Sequence, residues 1–240
     1  MTETRRSGLR GRGGDVHGAG VAQVFGCAGA VLAIGLNAPQ AWTSCVGRTV
    51  AGLSPAARWL AVVQAATWLA YGLAERIPLQ QVTNGVCLLL HLSVLGALLC
   101  LDPAARSSRV LLPQAALTVA WLGGVVACAL TGAVPVGGLA AGAGAVSVVP
   151  QLWRLARHRD EDSSGVSVTT TALSLLSGLC WTGHGLALGL PAVVLPSLAT
   201  AAAAAWTLAL LRRAAAPIPG REHRHQPLPV VLPARGVLAA

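Results

Sequence analysis

Trp68, Asn84, Trp181 and Ser197 are the side chains of this 240-residue sequence best suited to holding a small polar molecule. An indole plane packs against the weakly polar C–H face of a ring such as a sugar, and pockets of this kind combine aromatic walls with a few placed polar groups. Asn84 offers amide donors and an acceptor to hydroxyls, while Ser197 offers a shorter hydroxyl. For a single tryptophan in apolar sequence the ordinary place is the membrane interface. For a single asparagine it is a bond between helices. Two indoles at matching depth in facing halves would instead sandwich a ligand. Trp42, Trp59, Trp121, Trp153 and Trp206 read as interface or packing residues.

Other chemistries find no support. Glu3, Asp15, Glu75, Asp102, Asp160, Glu161, Asp162 and Glu222 all fall in tails, connectors or helix ends. A proton-coupled carrier ordinarily needs a carboxylate inside the membrane. His91 and His184 are the ionisable side chains deep in apolar segments, and both read as neutral hydrogen-bonding groups. No carboxylate, histidine and nucleophile cluster within these segments, so no enzyme is expected. The six cysteines lack C-x-x-C spacing, which argues against a disulfide framework or zinc, and no cofactor or metal is expected. There is no lysine, which removes a retinal Schiff base.

A duplication positions the four candidate residues. Pro39-Gln40, Gly52-Leu53-Ser54, Trp68 to Gly72 and Pro78 are echoed by Pro150-Gln151, Gly165-Val166-Ser167, Trp181 to Gly185 and Pro191. The offsets 165−52, 181−68 and 191−78 all give 113, whereas Pro39 and Pro150 differ by 111. Asn84 plus 113 is Ser197, so the two halves of a site built this way are unequal.

The chain is 54% hydrophobic and 10% charged, against about a quarter charged for a soluble domain. A bilayer core takes about 20 apolar residues per helix. Seven segments qualify, at 19–42, 57–74, 77–101, 109–130, 133–156, 167–188 and 191–211. The sequence divides into a polar tail (1–18), a first triple-helix repeat (19–101), a linker helix (102–132), a second triple-helix repeat (133–211) and a Pro/Arg-rich tail (212–240) expected to be disordered. Arg5-Arg6 and Val24 to Cys27 only faintly resemble export signals, because the apolar run continues to Trp42.

The net charge of +9 comes from scattered arginines rather than one basic face, so nucleic acid is not an expected partner. Twelve of the 17 arginines fall on the side of connectors one, three and five and the C-terminal tail. The positive-inside rule puts that side in the cytoplasm and the N-terminus outside. Three helices invert the chain, and the fourth brings it back, so the two triplets run parallel in a 3+1+3 bundle.

Pro39 and Pro150 sit late in the first helix of each triplet, where each removes a helix hydrogen bond and kinks the chain. Gln40 and Gln151 are placed to satisfy the freed carbonyls. The matched positions suggest hinges, with a static kink as the alternative. Gly138-x-x-x-Gly142 offers a close helix approach.

These residues resemble the PQ-loop proteins, and among them the SWEET sugar transporters and their half-size SemiSWEET relatives. The resemblance rests on Asn37-Ala38-Pro39-Gln40, Gly52-Leu53-Ser54, Trp68 to Gly72, Asn84, Pro150-Gln151, Gly165-Val166-Ser167 and Trp181 to Gly185. It implies an all-α membrane protein of seven transmembrane helices in two parallel PQ-loop repeats. It also implies a central site where Trp68, Asn84 and Trp181 hold a mono- or disaccharide, with Ser197 departing from a second asparagine. SWEETs carry a proline in the second helix of each triplet; Pro55 matches the first and Val168 stands at the second. The expected activity is facilitated diffusion of a small neutral solute across the plasma membrane by alternating access. The alternatives are a proton-coupled amino-acid carrier and a membrane receptor or scaffold that transports nothing. The expected partners are the solute and the bilayer, with homo-oligomerisation left open.

Overall fold

The structure, a computed structural model, describes residues 12–131, 136–143 and 167–215. The expectations for Pro150, Gln151, Trp153, Gly165 and residues 1–11 and 216–240 of the tails fall outside these residues, whereas 12–18 and 212–215, expected as tail, belong to the first and last helices. The described residues are helical with no strand, in seven segments: α1 Arg12–Cys45, α2 Pro55–Ala74, α3 Pro78–Leu101, α4 Ser108–Thr131, α5 at 136–143, α6 Val168–Leu188 and α7 Pro191–Ala215. Gly20–Cys45, Pro78–Leu101, Ser108–Leu130 and Pro191–Arg212 are long and apolar enough to cross a membrane. The remaining long helices, α2 and α6, are less apolar because they carry Gln64 and Thr67, and Ser177, Thr182 and His184. Leu89, Leu117, Val119 and Leu130 point outward, as helices packed among lipid require.

Local chemistry explains where the second helix of each repeat begins. Ser54 caps α2 by accepting from the Ala57 amide at 3.4 Å, and Ser167 caps α6 by accepting from the Thr170 amide at 3.2 Å. Gly52, at φ 77°, supplies the left-handed turn that leads into Ser54. The repeated Gly-x-Ser element is therefore a helix start. Pro55 is the first residue of α2, where a proline costs nothing, so it does not kink that helix. Val168 holds the equivalent first position of α6.

The last glycine of each Trp-x-x-x-Gly run has a packing role. A Cβ on Gly72 would sit 2.9 Å from the Gln80 Cβ, and one on Gly185 would sit 2.9 Å from Val194 Cγ2 and 3.2 Å from Val193 Cβ. These glycines let α3 fold tightly against α2, and α7 against α6. A Cβ on Gly138 or Gly142, by contrast, would meet nothing within 4 Å among the described residues. Their neighbour Gly137 makes the close contact instead.

Within the first triplet α3 packs on both α1 and α2, and α7 packs on α6 in the second. The α1–α6 contact joins the triplets, and the linker helix α4 lies against α2. That last contact is fixed by the Trp121 indole N–H donating to the Thr67 hydroxyl at 3.0 Å, with Thr67 fully buried. Thr67→Val leaves the indole N–H unpaired in an apolar setting. We expect it to cost about 1–2 kcal/mol, read as a lower melting temperature in detergent, with solute affinity unchanged.

Helix α1 runs unbroken through Pro39. Gln40 does not serve the freed carbonyls as the sequence suggested, because it donates to the Ser44 hydroxyl at 3.1 Å. Near Pro39, α1 carbonyls are bonded by the side chains of Asn37, to Ala33 at 2.8 Å, and Thr43, to Pro39 at 2.9 Å.

Candidate functional site

Trp68, Asn84, Trp181 and Ser197 converge on one cavity of about 200 Å³ between the triplets. Helices α2 and α6 supply the indoles, and α3 and α7 supply the amide and the hydroxyl. The cavity wall also includes Ala33, Gln64, Gln80, Thr83, Cys87, Ser177, Val193, Pro196 and Thr200. Every one of these except Ala33 has its repeat mate in the same wall, because the offset of 113 links Gln64 to Ser177, Trp68 to Trp181 and Gln80 to Val193. The same offset links Thr83 to Pro196, Asn84 to Ser197 and Cys87 to Thr200. The cavity therefore straddles the pseudo-twofold axis of the duplication.

Sequence reasoning found four of these residues and missed Gln64, Gln80, Thr83, Ser177 and Thr200. A usable signal was present. Gln64 lies one turn before Trp68, and Gln80 one turn before Asn84, so each shares a helix face with a residue already singled out. Pro39 and Gln40 are absent from the cavity wall.

Next to the indoles the described residues pack into an apolar core. Tyr71, Val125, Val136, Ala140 and Val193 form a buried apolar cluster, against which Trp68, Trp181, Ile77, Leu190 and Ala192 pack. Each indole rests edge-on against an aromatic ring one turn further along its helix. Trp68 and Tyr71 have ring centroids 5.6 Å apart at 88°, and Trp181 and His184 are 5.4 Å apart at 88°. His184 is 3% exposed, and its Nδ1 lies 2.8 Å from the Ala22 carbonyl of α1. A carbonyl only accepts, so Nδ1 carries the proton.

Both supporting rings reach the opposite triplet at a glycine. A Cβ on Gly26 of α1 would fall 2.6 Å from His184 Nδ1, and a Cβ on Gly137 of α5 would fall 2.9 Å from Tyr71 Cε2. These glycines differ by 137−26 = 111, the same offset as Pro39 and Pro150. This packing thus has the symmetry of the cavity.

Among the described residues the wall is polar without charge, since it includes no Asp, Glu, Lys, Arg or His. A zwitterion would lose its hydration there with no counter-charge to replace it, whereas neutral hydroxyls can be matched by amides and hydroxyls. Asn84 Nδ2 donates to the Gln80 backbone carbonyl at 2.9 Å and to the Gln80 side-chain oxygen at 2.7 Å. Ser177 Oγ lies 3.5 Å from the Gly29 carbonyl of α1.

No protein-family model matches the sequence, and no curated protein matches it. Among solved structures, the fold is similar to that of a eukaryotic SWEET transporter determined at 3.7 Å resolution, with a TM-score of 0.67 and 14% identity over 84% of this chain and 98% of that one. The chain therefore has a SWEET-like fold, an all-α membrane protein with seven helices in a 3+1+3 arrangement.

Proposed function

We propose that this protein is a membrane transporter, a facilitated-diffusion uniporter for a small neutral polyhydroxyl solute such as a mono- or disaccharide. The observation that carries the reading is the cavity wall itself: two indoles and a ring of uncharged polar side chains, paired residue by residue across the axis between two parallel repeats. Trp68 and Trp181 stack on the solute ring, and Asn84 and Ser197 bond its hydroxyls. The Tyr71 and His184 rings close one end of the path. The triplets then rock about their shared axis, exposing the cavity to each side in turn. Pro39 and Gln40, with Pro150 and Gln151, are the hinges. By the arginine distribution the sealed end, where α1 starts and α2 ends, faces outward, in a multi-pass plasma-membrane protein with a cytoplasmic C-terminus.

The test is uptake into proteoliposomes of labelled sugars and of labelled amino acids, with the proton gradient intact and with it collapsed by a protonophore. We expect saturable sugar uptake, equal in the two conditions. Amino-acid uptake that disappears with the gradient would replace this reading with a coupled carrier. Sugar binding without flux would replace it with a receptor.

A further inference from the structure

The polar wall of the cavity is lopsided, and its longest buried polar side chain belongs to a residue the transport reading does not use. Gln80 is 4% exposed and stands one turn before Asn84 on α3, with its side chain in the cavity wall. Its mate in the second repeat is Val193, which carries no polar atom. Hydrogen bonding fixes the orientation of both amides. The Gln80 backbone carbonyl can only accept, so the Asn84 atom 2.9 Å from it is nitrogen. The same nitrogen lies 2.7 Å from the Gln80 side chain, so the Gln80 atom there is its oxygen.

Two consequences follow from this geometry. Both N–H groups of Asn84 are spent on Gln80, and only the Asn84 carbonyl oxygen is left for a solute. The Gln80 Nε2 keeps two N–H groups, which have no partner among the described residues, and Nε2 is not among the buried side-chain atoms left unbonded, so it faces the cavity that Gln80 lines. Gln80 and Asn84 together therefore present one donor and one acceptor, side by side, on the first-repeat wall. Neighbouring hydroxyls on a sugar ring offer the complement, one oxygen accepting while the next hydroxyl donates.

We propose that Gln80 is a solute-binding residue whose Nε2 donates to one hydroxyl of a vicinal pair while Asn84 Oδ1 accepts from the other, so that the solute binds with its diol edge toward α3. This rests on the transport reading and assigns the edge and the polarity of the contact. The second repeat, with Val193 and Ser197 at the matching positions, takes the less polar side of the ring. One solute orientation is then favoured over its rotation by half a turn about the pseudo-twofold axis.

The experiment measures equilibrium binding of D-glucose, D-galactose and sucrose to the full-length protein in detergent, then of the single-deoxy analogues of the tightest binder. Wild type should bind at least one single-deoxy analogue roughly tenfold more weakly. Gln80→Met and Gln80→Val should bind the parent sugar roughly tenfold more weakly while losing that discrimination, the coupling expected of two groups in contact. Gln80→Val installs the side chain the second repeat already carries, and thermal melting without sugar checks that both variants fold. Indifference of wild type to every deoxy analogue overturns the proposal, as does full discrimination retained in a folded Gln80 variant. If wild type binds none of the three sugars, the transport reading for sugars fails first and this assignment goes with it. A wild type that binds sugar alongside a Gln80 variant that discriminates unchanged sinks the assignment alone.

Discussion

Trp68→Ala and Trp181→Ala are each expected to weaken sugar binding by about 30-fold, corresponding to about 2 kcal/mol for one lost stacking face. The two together should leave no measurable uptake. Each indole lines the cavity and stands at right angles to the ring of Tyr71 or His184. Truncation therefore removes both the platform for the solute and part of the seal beneath it. Trp→Phe keeps an aromatic plane and should recover most of the affinity. Interface tryptophans would behave otherwise, because alanine there would lower thermal stability and leave the affinity of the remaining sites untouched. Isothermal titration with sugar on all four variants, beside melting curves, separates the two behaviours.

The second large effect is expected at glycines far from any solute. Gly26→Ala places a methyl group against Leu79 Cδ2 of its own triplet and 2.6 Å from His184 Nδ1 of the other, and Gly137→Ala places one 2.7 Å from the Ala192 Cβ and 2.9 Å from Tyr71 Cε2. Non-bonded carbons rest at about 3.5–4.0 Å, so neither methyl fits while the seal is closed. Overpacking of this sort costs about 1–3 kcal/mol, and the share that falls on the His184 and Tyr71 contacts, which cross between the triplets, disfavours the closed arrangement of that end. Uptake should fall at least tenfold while sugar affinity stays within threefold, roughly 0.7 kcal/mol. Gly138→Ala is the internal control, because none of the described residues lies within 4 Å of its Cβ position. Equal loss at Gly138 would mean that helix α5 is sensitive to alanine for reasons unrelated to the seal.

The sequence was most legible where the duplication imposed spacing. The offset of 113 identified Trp68, Trp181, Asn84 and Ser197, and the structure brings all four into one wall. The same offset also held Gln80 and Gln64, but their mates are Val193 and Ser177. Matching residue identities, rather than positions, hid them. Other elements of the duplication turn out to have local roles. Pro55 and the Gly-x-Ser element begin helices, a role set by the four unsatisfied amides at any helix start. Gly138 and Gly142 have the spacing of a helix contact, but helix rotation decides which glycine meets a neighbour, and Gly137 faces Tyr71. Gln40 had an equally near partner in the Ser44 hydroxyl, a choice that spacing does not resolve.

The claim that the cavity on the axis between the repeats is the solute's route is tested most directly by side-specific labelling. Ser197→Cys, in a protein whose six native cysteines are replaced, puts one thiol on the cavity wall. Vesicles are then treated with a membrane-impermeant maleimide from outside only or from inside only. The account predicts labelling from either face, slowed from both by the sugar that is transported. Labelling confined to one face, and unaffected by any sugar, would contradict it.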